Sequence, residues 1–252
     1  ENGAREITLL GQNVNAYEYE NFRLSNLIFE IEKIPEILRI RYMTSHPNDM
    51  SDDLIETYKT SKKLMPLIHL PVQSGSDKVL KLMNRKHIIK DYLKVHEKIK
   101  KINSAIKFSS DFIIAYPGEE EKDYQATLEL IRNIKFINSY SFIFSPRPGT
   151  TASNLELIEK NTSLKRLEKV QNELSKNQIE MNNSFVNNEI NVLVENKSIK
   201  TSKLFGRSEY MTSVIFDGKE ENIGKIIKVR IKNSNQNTLF GESVEKSKLR
   251  VA

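Results

Sequence analysis

The segment His69-Leu70-Pro71-Val72-Gln73-Ser74-Gly75-Ser76 sets an amide and two hydroxyls at the end of an apolar run, Met65 to Val72. At a strand terminus such groups can hydrogen-bond a small polar ligand. They equally suit turn chemistry with a helix N-cap at Ser76 or Asp77, and the residues alone leave both readings open. Gly11-Gln12-Asn13 closes a second apolar run, where a glycine lets the backbone approach a ligand closely. Asp111 lies inside the apolar stretch Phe108–Ala115. A carboxylate there must be paired, hydrogen-bonded or at a functional site, and a ligand hydroxyl is favoured over a buried structural partner. Arg85, in Met83-Asn84-Arg85-Lys86-His87, carries a planar fork that suits a carboxylate. From sequence alone a solvated surface arginine is the simpler reading.

His46, His69, His87 and His96 have no short paired spacing, so metal ligation by them is not favoured. Lys197, Lys200, Lys203 and Arg207 interleave with Phe205 and Tyr210, and Lys225, Lys228, Arg230 and Lys232 follow. Basic residues among aromatics suit phosphate contact with base stacking, against the alternative of ordinary solvated strand faces. The chain has no cysteine. That excludes disulfides, thiolate nucleophiles and thiolate-held zinc or iron–sulfur clusters within these residues.

Positioning these groups requires a repeated strand–loop–helix grammar. Strands are expected at Ile7–Leu10, Ile37–Met43, Met65–Val72, Ile106–Ala115 and Ser139–Phe144. Helices are expected over Leu24–Ile34, Asp52–Lys62 (capped by Ser51), Lys78–Met83, Lys90–Ile102 and the segment bearing Tyr124, Leu128, Ile131 and Ile134. Five such repeats read as part of a parallel barrel with its loops on one rim. With no helix before the first strand, the barrel is expected to lack its first βα unit and to leave that edge exposed. A long helix, Ser163 to Phe185, follows. The period then changes from helical to alternating, over Ile190–Val194, Ser202–Phe205, Ser213–Phe216, Lys225–Ile231 and Leu239–Val244. Five short strands suggest a small barrel like an oligonucleotide-binding fold, with bulges or bends at Gly206 and Gly241. The expected domains are 1–183 and 184–252.

At 252 residues with 38% hydrophobic and 29% charged content, the composition is that of a soluble globular protein. No apolar run approaches the ~20 residues of a membrane span, and the start carries no apolar signal core, so a cytoplasmic location is expected. The net charge is +6, of which residues 184–252 hold +4 (12 Lys and Arg against 8 Asp and Glu). That asymmetry points to a polyanion-binding tail domain.

Five motifs, in order, resemble the radical S-adenosylmethionine methylthiotransferases. They are Gly11-Gln12-Asn13-Val14-Asn15, Thr44-Ser45-His46-Pro47, the His69–Ser76 segment, Ser110-Asp111-Phe112 with Pro117-Gly118-Glu119, and Ser145-Pro146-Arg147-Pro148-Gly149-Thr150. The match runs from the first residue to Leu249-Arg250-Val251-Ala252. Its first two motifs resemble the branch acting on isopentenylated adenosine 37 of tRNA. The terminal barrel resembles the TRAM domain, an RNA-binding module.

The resemblance implies a radical SAM core (residues 1–183) and a TRAM domain (184–252). S-adenosylmethionine would be held by Gly11, Gln12, Asn13, Gln73, Ser74, Arg85, Asp111 and Ser145. Gly11 and Gln12 would receive its amino group, Arg85 its carboxylate and Asp111 its ribose hydroxyls, with the adenine near the backbone of Phe144 and Ser145. Arg147, Lys203, Arg207, Lys228 and Arg230 would contact tRNA. The family's reaction also needs an electron-donor protein and two [4Fe–4S] clusters on six cysteines, which would lie before Glu1 or on a companion chain. The family's Gly-Phe-Pro-Gly-Glu-Thr is Ala115-Tyr116-Pro117-Gly118-Glu119-Glu120 here, and the methyl of Ala115 is expected to tighten the pocket. No catalytic or metal-ligating residue is expected within this chain. It reads as the carboxyl-terminal part of such an enzyme, inactive alone. The alternative is a non-catalytic RNA-binding protein from a split or decayed gene.

Overall fold

The structure, a computed structural model, describes residues 3–198 and 201–244. Lys200 of the basic run and the terminal Leu249–Ala252 lie outside the described residues. Two compact units are present, one over Glu6–Asn177 and a second holding Gln178 onward together with the first five residues. No helix among the described residues is long and apolar enough to cross a membrane.

In the first unit, apolar runs interrupted by helical periods fold as parallel strands with helices packed against them. Strand β1 (Glu6–Leu9) pairs in parallel with β2 (Arg39–Tyr42). The next step is a bridge from Ile40 to Leu64, with Ile40 N donating to Lys63 O and Met65 N to Ile40 O. Strand β3 (Leu67–His69) pairs with β4 (Lys107–Ser109), and β5 (Asp111–Ile114) with β6 (Tyr140–Ile143), all in parallel. A bridge from Gln73 to Phe112 ties the end of the β3 segment to β5. The order along the array therefore follows the chain.

Helices α1 (Leu24–Glu32), α2 (Asp52–Thr60), α3 (Asp77–Leu82), α4 (Ile89–Ile102) and α5 (Glu121–Ile134) fall where the periodicity places them. Their apolar stripes bury Ile28, Leu54, Ile99 and Ile131 in one cluster with Ile40, Ile68, Phe108 and Phe112 of the strand segments. Among the described residues β1 pairs only with β2, so the expected exposed first edge is present.

Three features depart from the sequence reading. The single strand expected over Ile106–Ala115 is two, broken at buried Ser110. There Val72 N donates to Ser110 Oγ and Ser110 N to Ser139 Oγ, each at 2.9 Å, so side chains replace ladder bonds. Ser51 holds the N-cap position of α2 but makes no capping hydrogen bond. An unforeseen two-residue hairpin, Glu18–Tyr19 with Phe22–Arg23, turns through Glu20 and Asn21, both at positive φ. Those are the two left-handed positions that such a turn demands.

Helix α6 (Lys160–Asn183) leads into the second unit. There β7 (Glu189–Lys197), β8 (Leu204–Ser208), β9 (Ser213–Asp217), β10 (Ile226–Ser234) and β11 (Thr238–Ser243) close a barrel in the order β8-β9-β11-β10-β7. Alternation sends Ile227, Val229 and Ile231 inward to Val192, Val214, Phe216 and Leu239, while Lys228, Arg230 and Lys232 face out. Gly206 and Gly241 stand where close approach requires them. A Cβ on either would fall onto a main-chain carbonyl, of Leu193 or Arg230 respectively. Register shifts lie beside Gly206 and across from Gly241, as bulges at glycine would give.

Candidate functional site

Three strand segments of the first unit end in non-glycine residues with left-handed backbone: Thr44 (φ 64°) after β2, Gln73 (φ 72°) after β3 and Ala115 (φ 58°) after β5. Each such residue costs about 1–2 kcal/mol, and clusters of them mark ligand-binding or switch regions. Main-chain atoms hold the tips together. Val14 N donates to Thr44 O at 3.1 Å and the Thr44 hydroxyl bonds Gly11 O. Gln73 N donates to Asp111 O at 3.0 Å, Ile113 N to Gln73 O at 2.9 Å and Phe144 N to Ile114 O at 2.8 Å.

Arg85 follows α3 and is brought to the same rim by His87. His87 Nε2 donates to Val72 O at 3.2 Å, one residue before Gln73. The His87 ring meets that of His46 edge-on at 5.5 Å, and Asn48 Nδ2 donates to Lys86 O at 3.1 Å. Burial lowers the pKa of both histidines, which favours neutral rings. Burial also lowers that of Arg85. Among the described residues no carboxylate lies within ion-pair distance of Arg85, so its fork is available.

The predicted residues thus divide by what they touch. Gln12 follows β1, Gln73 follows β3 beyond the intervening β2, and Arg85 follows α3. Among the described residues no hydrogen bond or ion pair engages their side-chain polar ends, and the Asp111 carboxylate is one-third exposed, 3.5 Å from His69. Asn13 Nδ2 donates to Asp49 Oδ2 at 2.6 Å, while its Oδ1 is buried without a hydrogen-bond partner. Ser74 is buried, accepting from Ser76 N at 3.2 Å with Thr127 Oγ1 at 3.4 Å, and it shapes the loop. Ser76 is the N-cap of α3, accepting from Val79 N. Ser145 and Arg147 are exposed after β6. Sequence reasoning missed the parts played by Thr44, His69 and His87.

Two amides, a guanidinium and a carboxylate on one rim complement an amino acid joined to a ribose, so the residues fit the adenosylmethionine expectation. These residues do not fit an iron–sulfur cluster, whose cysteines are expected outside them. The chain has no cysteine, and among the described residues no group of three His, Asp or Glu could hold a metal ion.

On the barrel, the predicted basic residues are mostly ion-paired. Lys203 meets Asp217 at 2.9 Å, Arg230 meets Glu189 at 2.6 Å, and Arg207 meets Glu195 at 3.5 Å while lying over the Phe205 ring. Exposed pairs of this kind are worth about 0–1 kcal/mol, so phosphate can displace them.

The sequence profile of the Radical SAM superfamily matches residues 1–131, just over half of the chain. The chain belongs to the Radical SAM superfamily. A TRAM domain profile matches residues 183–244, over the closed barrel. This radical SAM chain is 61% identical over 256 residues to tRNA-2-methylthio-N(6)-dimethylallyladenosine synthase of Pelagibacter ubique (strain HTCC1062), with 100% of the chain and 57% of that protein covered. It is 44% identical to the protein of that name from Ruegeria sp. (strain TM1040), covering 97% of the chain and 57% of the relative. The chain therefore spans a little over half the length of these relatives. Among solved structures, coproporphyrinogen III oxidase from Escherichia coli, a radical SAM enzyme, superposes with a TM-score of 0.50 at 11% identity. That match covers 88% of this chain and 56% of the oxidase, and it speaks to the fold alone.

The backbone at position 115 makes a direct prediction. Ala115→Gly removes a left-handed alanine, and its gain is partly offset by a freer unfolded chain. A net stabilisation of about 0.5–1 kcal/mol is expected in denaturant titration. A loss of stability would show that the methyl packs favourably.

Proposed function

We propose that this chain supplies the adenosylmethionine-binding strand tips and the RNA-binding barrel of a tRNA methylthiotransferase. The whole enzyme would place a methylthio group on C2 of N6-isopentenyladenosine 37. What supports this reading is the main-chain tie of Gln73 to Asp111 in one parallel array, with the Arg85 loop held to Val72 O by His87, together with the name shared by the relatives. Adenosylmethionine, when bound and given one electron from outside these residues, would supply radical chemistry at C2. The residues of this chain bind and orient it. Gly11 and Gln12 receive the amino group, Arg85 pairs with the carboxylate, and Asp111 accepts from the ribose hydroxyls. The backbone at Phe144 and Ser145 meets the adenine, with Gln73 lining the pocket. Asn13 and Ser74 contribute by fixing the loops. Arg147, Lys203, Arg207, Lys228 and Arg230 contact tRNA, with Phe205 as a stacking surface.

Cluster thiolates would come from polypeptide outside these 252 residues, on the same or a companion chain, with an external electron-donor protein. These residues alone are expected to be inactive. The absence of cysteine also favours a second reading, an RNA-binding protein without catalysis. Adding the six-cysteine region of a relative in trans separates the two, since only the first reading predicts methylthiolation.

Binding tests the site itself. In the full chain, Arg85→Ala is expected to weaken adenosylmethionine binding about tenfold or more, the worth of one charged hydrogen bond. Combining Lys228→Glu and Arg230→Glu is expected to weaken tRNA binding and flatten its logarithmic salt dependence by about 0.7–0.9 for each phosphate left unneutralised. Unchanged affinity in either measurement would remove that half of the proposal.

A further inference from the structure

His69 lies just below the rim, and the binding roles above do not use it. It is buried, and it pairs in register with Ser109 on the adjacent strand. The Ser109 hydroxyl has one proton, which it donates to the carbonyl oxygen of Asn138 at 2.7 Å. A carbonyl can only accept. Ser109 Oγ therefore faces His69 Nδ1, 2.9 Å away, as an acceptor, and Nδ1 must carry a proton. The opposite nitrogen, Nε2, stands 3.5 Å from Asp111 Oδ2. A strand thus grips the ring from behind and turns one nitrogen toward one oxygen of the candidate ribose-binding carboxylate.

We propose that His69 is a positioning residue for Asp111. By standing against Oδ2 it holds the carboxylate in one orientation and leaves Oδ1 free to accept from a ligand hydroxyl. With Nδ1 tied to Ser109, Nε2 is the only ring nitrogen through which His69 can meet the carboxylate. The inference rests on the reading of Asp111 as a ribose acceptor, and it adds the group that sets the acceptor's direction.

The first test needs no ligand. In nitrogen-15 spectra of the full chain, the His69 ring is expected to show a protonated Nδ1 that persists in Asp111→Asn and is lost as a fixed tautomer in Ser109→Ala. A bare Nδ1 in the unmodified chain overturns the proposal and leaves the ribose reading standing. The second test uses adenosylmethionine binding to the full chain. His69→Leu should weaken it about tenfold, about one hydrogen bond. His69→Gln, whose amide can donate to Asp111, should restore most of it. In an Asp111→Asn background, His69→Leu should cost nothing further. An equal loss there would make His69 a packing residue only. An Asp111→Asn variant that binds normally would sink the ribose reading and the positioning role together.

Discussion

Replacing Arg166 by methionine is expected to destabilise the protein by about 3–5 kcal/mol, the cost of leaving a buried charge without its partner. Arg166 reaches from α6 to Glu119, in the loop that precedes α5. Its Nη1 lies 2.8 Å from Glu119 Oε1 and 3.2 Å from the Glu119 carbonyl, and its Nη2 lies 3.1 Å from Glu121. Glu119 is buried, and its Oε1 also accepts from Ala115 N at 3.2 Å, so the pair steadies one of the left-handed tips. Methionine keeps much of the packing against Tyr124, over whose ring the guanidinium sits. The loss is then chiefly electrostatic.

The pH dependence of that loss has a definite sign. Burial raises the Glu119 pKa, and Arg166 opposes the rise. Above its unfolded value, a raised acid binds more protons folded than unfolded, so its contribution to stability falls as pH rises. Without Arg166 the pKa climbs further. The gap between variant and parent should therefore widen from acid toward neutral pH and then level off. Denaturant titrations at several pH values check this. A constant gap would mean that Glu119 is not the group left uncompensated.

Gly75→Ala should have the next largest effect, about 3 kcal/mol, at the upper end of the usual cost of overpacking. A Cβ at Gly75 would lie 2.5 Å from Ala126 O and 2.6 Å from Thr127 Cα, both main-chain atoms of α5 that have nowhere to move. The same change would pull Gly75 N from Thr127 Oγ1, now 2.9 Å away. The loop bearing Gln73 would be lifted off its support, so adenosylmethionine affinity should fall along with stability. A variant with parental stability would show that the loop can shift at little cost.

Much of this fold was legible because apolar period is a direct record of which face is buried. The parallel strands, the five main helices and the five barrel strands all appear within a few residues of their expected places. The break at Ser110 was not legible, since a serine inside an apolar run gives no sign that neighbouring side chains will take over its ladder bonds. The short hairpin was equally hidden, because Glu20-Asn21 is an unusual pair for its turn. At the site, Asp111 stood out by residue type, Gln73 read equally well as turn chemistry, and Arg85 read more simply as a solvated surface arginine. Thr44 and Ala115 did not stand out, because left-handed backbone at a residue other than glycine leaves no mark in composition. Of the barrel's basic residues Lys228, Arg230 and Lys232 are exposed and Lys203 and Arg207 half-buried, and the carboxylates facing them come from other strands and were invisible to a linear reading. Asn13 and Ser74 illustrate the same limit, as their partners Asp49 and Thr127 lie far along the chain.

The rim is laced mainly through peptide N–H and C=O groups, from Val14 to Thr44, Gln73 to Asp111 and Ile114 to Phe144. Peptide groups are common to nearly all amino acids, so a mutation that swaps Gln12, Gln73 or Arg85 for another side chain changes what the rim recognises while the lacing survives. Such a scaffold can acquire new specificities one substitution at a time.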